Sequence, residues 1–254
     1  MNKKRIISVI CSIAILTMAV NVFAANTTTS QFDYTVDSKF NDVKPSDWYF
    51  EAVSKCEDLG IIYGYGDGTF GANDPVTLQQ VTLMTLRTLL AYRFGYTELA
   101  GWTAPGVQLD QDHVSFQRCK IEKYIPSYRT DEIEARLHGA TQFQPAYREE
   151  ALSCFYRMFI SDSYENFPQR IKEVNDIRGK ETVFIENPNI PDYDEIHEYY
   201  KKDVYGAYQY GLAHGYDETG AFKPKNEITR AEFCQMMFES GMIETIYLQN
   251  KGLV

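Results

Sequence analysis

The sequence predicts an all-α, mainly helical fold built from a repeated helix–loop–helix unit. Three observations carry this. The loop "GYGDGTF" at 64–70 has a cousin, "GYDETGAF", at 215–222. Each loop lies between two stretches whose apolar residues recur at helical spacing. Each second stretch opens on a helix-start pattern, "VTLQQV" or "ITRAEF". The correspondence extends over about fifty residues in the same order, the mark of an internal repeat.

The chain opens on a predicted secretory signal, residues 1–25. Lys3, Lys4 and Arg5 precede the apolar run "IISVICSIAILTMAV", and "NVFAAN" supplies small residues for cleavage after Ala24 or Ala25. The run is short for a membrane span, so no stable span is expected after cleavage; a retained N-terminal anchor is the alternative. Cys11 lies within the run without the flanking small residues that lipid modification would need.

The first unit is placed at 38–98. Trp48, Ala52, Val53, Cys56 and Leu59 fall on one helical face, Ser46 or Asp47 can cap its start, and Gly60 can end it in the left-handed conformation. Asp67-Gly68 then makes a tight turn. The acids of "DGTFGANDP" do not alternate as a calcium loop requires, and no lysine and hydroxyl follow the glycines as a phosphate loop requires. The loop therefore reads as architecture, carrying the chain past an aromatic plug (Phe70, and Phe222 in the second copy). Thr77 and Gln80 have the spacing of reciprocal caps for the next helix.

The last unit, 189–254, repeats this plan. Tyr199, Val204, Ala207 and Tyr210 mark its first helix, Gly211 matches Gly60, and Thr229 and Glu232 form a capping box. Arg230 sits in the first turn, where the helix dipole disfavours a cation. The amides exposed there suit an anion, and an arginine beside them can grip a carboxylate through two bonds. An ion pair with Asp194 or Asp217 is the structural alternative.

Between the outer units lies one damaged copy, 99–161, followed by a connector, 162–188. "HGATQFQPAYREEALSCFYRMF" matches the end of the unit, with Phe143 and Pro145 opposite Phe222 and Pro224, and Arg148 and Glu150 opposite Arg230 and Glu232. Its loop is three residues shorter. Its first helix is either "TDEIEARLHGA" or "SFQRCKIEKYI".

Composition bounds the function. The 254 residues are 44% hydrophobic, enough for a core, and include 19 tyrosines, which suit wet interfaces and sugar contacts. The chain carries −10, and losing three cations with the leader leaves about −13. Such a protein does not bind nucleic acid non-specifically, and an acidic polymer must be met through local cationic pockets. Cys56, Cys119, Cys154 and Cys234 form no CxxC pair, so a zinc site is not expected; they are two disulfides or buried free thiols. The apolar helical positions of Cys56, Cys154 and Cys234 favour thiols.

The runs "FNDV…W…GIIYGYGDGTFGANDPVT" and "GLAHGYDETGAFKPKNEITRAEF" resemble the S-layer homology domain, the second through its "ITRAE". The resemblance implies three units in a pseudo-threefold helical assembly. It implies grooves that bind a secondary cell wall polymer, a peptidoglycan-linked glycan often bearing a pyruvylated amino sugar, and so a secreted, non-catalytic anchor of the cell surface or S-layer without cofactor or metal. By resemblance the groove residues are Arg230, Arg148, Asp42, Trp48, Gly64, Gly215, Asp192 and Tyr199. Leu78 takes the arginine position in the first unit, Gln80 replaces its glutamate, and Tyr147 replaces the capping threonine in the middle unit, so at most two grooves keep their arginine.

Two rival classes stand beside the anchor. For an enzyme there is no G-x-S-x-G, no HExxH and no Cys/His context; His113, His138, His197 and His214 are scattered, with His138 and His214 placed before helix-end glycines to cap carbonyls. Paired acids such as Asp192/Asp194 and Glu149/Glu150 could do acid–base work, but an acidic chain offers many such pairs. The other rival is a secreted protein–protein or surface-layer scaffold on a decayed repeat, with other surface proteins as partners. The tyrosines, the lost arginine and the lack of a cargo domain favour it.

Overall fold

A capping box starts each outer second helix. The Thr229 hydroxyl accepts from the Glu232 amide at 3.2 Å while the Glu232 carboxylate accepts from the Thr229 amide at 2.8 Å. Thr77 and Gln80 make the same exchange at 3.2 and 3.0 Å, so the amide keeps the cap without the charge. In the middle unit Tyr147 has no hydroxyl to offer in this geometry, and only its amide bond to Glu150, at 2.9 Å, remains.

The computed structural model of the chain describes residues 37–94, 144–160, 167–216 and 218–252. Its helices are α1 (Phe50–Asp58), α2 (Leu78–Phe94), α3 (Arg148–Ile160), α4 (Phe167–Ile177), α5 (Glu198–Gln209), α6 (Arg230–Glu239) and α7 (Met242–Asn250), with a 3₁₀ turn at Tyr193–Glu195 before α5. Among the described residues there is no strand, so the fold is all-α as predicted. The leader, Phe143, Cys119, His113, His138, Asp217 and both candidates for the first helix of the middle unit lie outside the described residues.

Gly60 and Gly211 end α1 and α5 with φ of 67° and 64°. Each sits in a Schellman arrangement: the Ile61 amide reaches back to the Cys56 carbonyl at 2.9 Å, and Leu212 to Ala207 at 2.8 Å. The start of α1 departs from expectation. Asp47 turns its carboxylate back onto the Lys44 amide at 2.7 Å, and the helix begins three residues later without a side-chain cap. Trp48 therefore precedes the helix and leaves the buried face, where Ala52, Val53, Cys56 and Leu59 remain.

The three segments before α2, α3 and α6 meet and tie the units into a ring. The Val76 amide donates to Ile228, Ile228 donates to Ala146, and Ala146 donates to Val76, at 2.9, 3.1 and 2.9 Å. A second set runs the other way: Leu78 to Gln144, Arg148 to Asn226 and Arg230 to Asp74. Each unit thus contributes one donor and one acceptor to each set. Outside this ring, α1 packs on α6, α3 on α5 and α2 on α3, while α7 lies across α1, α2 and α6.

The core follows the repeat. Phe70 and Phe222 are wholly buried; Phe70 stacks on Phe40 at 5.3 Å, and Phe222 meets Tyr208 edge-on at 6.0 Å. Each such ring is worth about 2–3 kcal/mol of burial. Cys56, Cys154 and Cys234 are buried free thiols. Lys55 is wholly buried, with its ammonium 2.6 Å from Glu51 and near the Phe238 and Tyr247 rings. The buried pair Arg178–Glu244, 2.6 Å, ties the turn after α4 to α7.

Candidate functional site

The amides at the start of α6 were read as suited to an anion, and those at the start of α3 stand at the matching place. Neither set faces one. Arg230 and Ala231 donate to the Asp74 and Ala72 carbonyls at 2.9 and 3.0 Å, and Arg148 and Glu149 donate to Asn226 and Pro224 at 2.9 and 3.2 Å. The neighbouring unit satisfies these groups.

The side chains of the two arginines then differ. Arg230 is 6% exposed. Its Nε donates to the Phe70 carbonyl at 2.9 Å and its guanidinium to the Tyr63 carbonyl at 2.8 Å, both in the first unit. The Phe70 and Tyr65 rings lie 4.7 and 5.1 Å from the guanidinium. Arg148 is only half-buried and makes one such bond, to the His214 carbonyl at 3.1 Å, across the Tyr216 ring at 4.0 Å. Its Nε is buried without an acceptor among the described residues. Leu78, at the same position in the first unit, is a core residue.

Asp42 and Asp192 shape the loops from below. Asp42 accepts from the Phe70 and Gly71 amides at 2.7 and 2.8 Å, and Asp192 from the Phe222 and Lys223 amides at 2.8 and 2.6 Å. Burial raises the Asp42 carboxyl, but the amides of Phe70 and Gly71 outweigh it and hold the group below its ordinary range. Gly64 and Gly215 are demanded by close approach. A Cβ on Gly215 would stand 2.0 Å from the Gly220 backbone, and one on Gly64 would stand 2.4 Å from the Thr69 carbonyl oxygen.

Two grooves border the arginines at equivalent seams. The smaller, about 130 Å³, lies between Arg230 and the first unit, which lines it with Tyr63, Gln80, Met84 and Arg87. The Arg87 guanidinium lies 4.8 Å from the Tyr63 ring. The larger, about 280 Å³, lies between Arg148 and the last unit, which lines it with His214, Gly215, Tyr216, Glu232 and Glu239; Trp48 reaches it from the first unit. Arg148, Trp48 and Gly215 are thus brought together, and Arg230 lines a separate groove. Tyr199 is elsewhere. It is clasped by Arg157, through its hydroxyl at 2.9 Å and its carbonyl at 3.1 Å, while Arg157 also pairs with Asp203 at 2.6 Å.

The grooves differ in charge. Among the described residues the smaller is lined by two guanidinium groups and no carboxylate, the larger by one guanidinium, two carboxylates and an imidazole. His214 was expected to cap a helix-end carbonyl. Instead its Nε2 lies 3.2 Å from the Glu239 carboxylate, which raises the imidazole above its ordinary value against the cost of burial. Burial raises Glu239 in turn, but the bond and charge of His214 outweigh it and hold the carboxyl low. Burial pushes the Tyr216 phenol up to about 12. Arg87, Glu239, His214 and Tyr63 were missed as groove residues; superposing the repeats would have found the first two, since both stand nine positions into their second helix. Among the described residues no cluster of His, Cys, Asp and Glu could hold a metal.

The family model of the S-layer homology domain matches residues 39–82 and 189–234. The chain carries two S-layer homology domains. Both matched stretches fall within the outer units placed at 38–98 and 189–254. The S-layer homology model does not match the middle unit, although Gln144–Ala146 takes its place in the backbone ring. S-layer homology domains are non-catalytic binding modules that anchor proteins to the cell wall, which implies association with the wall or cell surface. No curated protein matches the chain. Among the described residues no helix is long and apolar enough to cross a membrane.

Proposed function

We propose that this exported chain attaches non-covalently, without catalysis, to an anionic secondary cell wall polymer, and that the smaller groove receives the acidic group. The observation that carries the reading is a groove lined by Arg230 and Arg87 with no carboxylate among the described residues. A carboxylate entering there, such as a pyruvate ketal on an amino sugar, meets planar cationic donors beside the tyrosine ring of Tyr63. In this reading Asp42, Asp192, Gly64 and Gly215 act by shaping the loops, Trp48 and Arg148 serve the larger groove, and Tyr199, clasped by Arg157, lies outside both grooves. The exposed run Val183, Phe184 and Ile185 favours a second reading, a scaffold that holds another surface protein.

Co-sedimentation tests the proposal. The mature chain is mixed with walls of its source, with walls chemically stripped of the secondary polymer, and with intact walls plus a soluble pyruvylated hexosamine as competitor. Pelleting that requires the polymer and is lost to the competitor supports the proposal. Equal pelleting with stripped walls, or indifference to the competitor, overturns it and leaves the scaffold reading.

A further inference from the structure

We infer that the larger groove selects an amino sugar with a free, protonated amine, held between the Glu239 carboxylate and the Trp48 indole. The inference rests on the wall-glycan reading above and assigns the second groove an opposite preference.

The position nine residues into each second helix carries a charge: Arg87 in the first unit, Arg157 in the middle and Glu239 in the last. In the first and last units that residue lines the groove, so the change from Arg87 to Glu239 reverses the sign of a wall group. The other charges of the larger groove are already engaged. Glu232 accepts from the Thr229 amide and from the Tyr216 hydroxyl, at 2.8 and 2.6 Å. Arg148 lies against the Tyr216 ring and donates to the His214 carbonyl. These two opposite charges are held by backbone and ring partners, whereas Glu239 is met only by the side chains of His214 and Gln235, which makes it the charge that decides what enters.

Glu239 already has an imidazole against it. The His214 imidazole is a largely exposed side chain resting against one carboxylate oxygen, while Gln235 donates to the other at 3.1 Å. The imidazole occupies the place an ammonium group would take, on a side chain that solvent exposure leaves free to swing aside. Trp48 is 63% exposed on the wall, an uncommon position for an indole unless something covers it. Its face offers apolar surface to a pyranose ring and a favourable quadrupole to a cation. The guanidinium of Arg148 can donate to a ring or hydroxyl oxygen of the same sugar. A carboxylate ligand here would face Glu239, so the two grooves would read opposite charges along one polymer.

Isothermal titration at physiological salt tests this with three probes: the β-1,4-linked tetramer of glucosamine, its fully N-acetylated counterpart, and n-butylamine. The amine tetramer is expected to bind, and the other two to bind at least about tenfold more weakly. Glu239→Gln and Trp48→Ala should each weaken the amine tetramer about tenfold or more. Affinity should fall as pH drops and protonated His214 competes for Glu239, and His214→Ala should flatten that dependence. Circular dichroism and melting confirm that these surface variants fold. Equal binding of the two tetramers, equal binding of n-butylamine, no binding at all, or indifference to Glu239→Gln would each overturn the inference. Wall pelleting is read separately. Pelleting lost while Glu239-dependent tetramer binding persists overturns only the wall-attachment reading; the reverse overturns only the amine preference.

Discussion

Replacing Arg230 by alanine tests whether this arginine is chiefly a joint between the first and last units. The guanidinium makes two bonds to backbone carbonyls, Phe70 at 2.9 Å and Tyr63 at 2.8 Å, and lies on two aromatic rings. A bond with a charged donor contributes about 1.5–3 kcal/mol, and a cation–ring contact about 0.5–1 kcal/mol. Water entering from the groove can replace part of this at the part-buried Tyr63 carbonyl, and alanine releases about 1.5–2 kcal/mol of side-chain entropy. The net loss expected is about 3 kcal/mol, on the order of 10 °C in Tm for a chain of this size. Arg148→Ala, with one exposed carbonyl bond, should lose about 1 kcal/mol. Urea unfolding followed by circular dichroism, with the m-value unchanged, reads both. A loss under about 1 kcal/mol for Arg230→Ala, or a larger loss for Arg148→Ala, would refute the reasoning. The same figures mean that wall binding by an Arg230 variant must be judged beside its stability.

Asp42→Asn removes one oxygen from the clasp on Phe70 and Gly71 and should cost about 1–3 kcal/mol in urea unfolding. Because its folded carboxyl lies below the ordinary value, the Asp42 contribution is present above the unfolded pKa and is lost as pH falls through the folded one; the wild-type and Asn proteins should converge in stability at acid pH. The His214–Glu239 pair has the opposite sign on its imidazole. His214 is raised, so its contribution is full below the ordinary histidine value and is lost as pH rises through the raised one, while that of Glu239 is lost toward acid. An NMR titration should find His214 above an ordinary histidine and returning to it in Glu239→Gln; an unshifted His214 in the wild type would contradict the pairing. Burial raises the thiols of Cys56 and Cys154, the latter to about 12, with the Cys234 contact adding to the effect on Cys56, and Cys234 is itself wholly buried. All three should resist a thiol-specific reagent in the native protein and react after unfolding, as mass spectrometry of the labelled peptides can show.

The parts of the fold visible in the sequence are those set by near neighbours. Thr77, Gln80, Thr229 and Glu232 signal helix starts because a cap satisfies amides three residues away. Gly60 and Gly211 signal helix ends because a left-handed residue is needed there. The partners of Arg230 could not be read this way: the carbonyl of Phe70 lies 160 residues off and carries no side-chain signature. The same holds for the amides of the α6 start, which the sequence left open to an anion and the neighbouring unit closes. Trp48 was placed on a buried face by its spacing, but the helix begins after it. A lysine is usually solvated, and the burial of Lys55 depends on Phe238 and Tyr247 arriving from two other helices beside Glu51 of its own. The opposite charges of the grooves lie in two residues, Arg87 and Glu239, that no motif marks.

The backbone ring of Val76, Ala146 and Ile228 also bears on how the chain folds and comes apart. An open solenoid has end units held on one side only, and these can fray without disturbing the rest. A closed ring has no such ends. Opening any seam between units breaks one bond of each set, and the Val76–Ile228 seam forms only when residues about 150 positions apart have met. Closing so long a loop is entropically costly before any contact rewards it, which slows folding. Once closed, each seam holds the other two in register. The protein should therefore lose its three units together, in a single slow unfolding step, rather than unit by unit from either end.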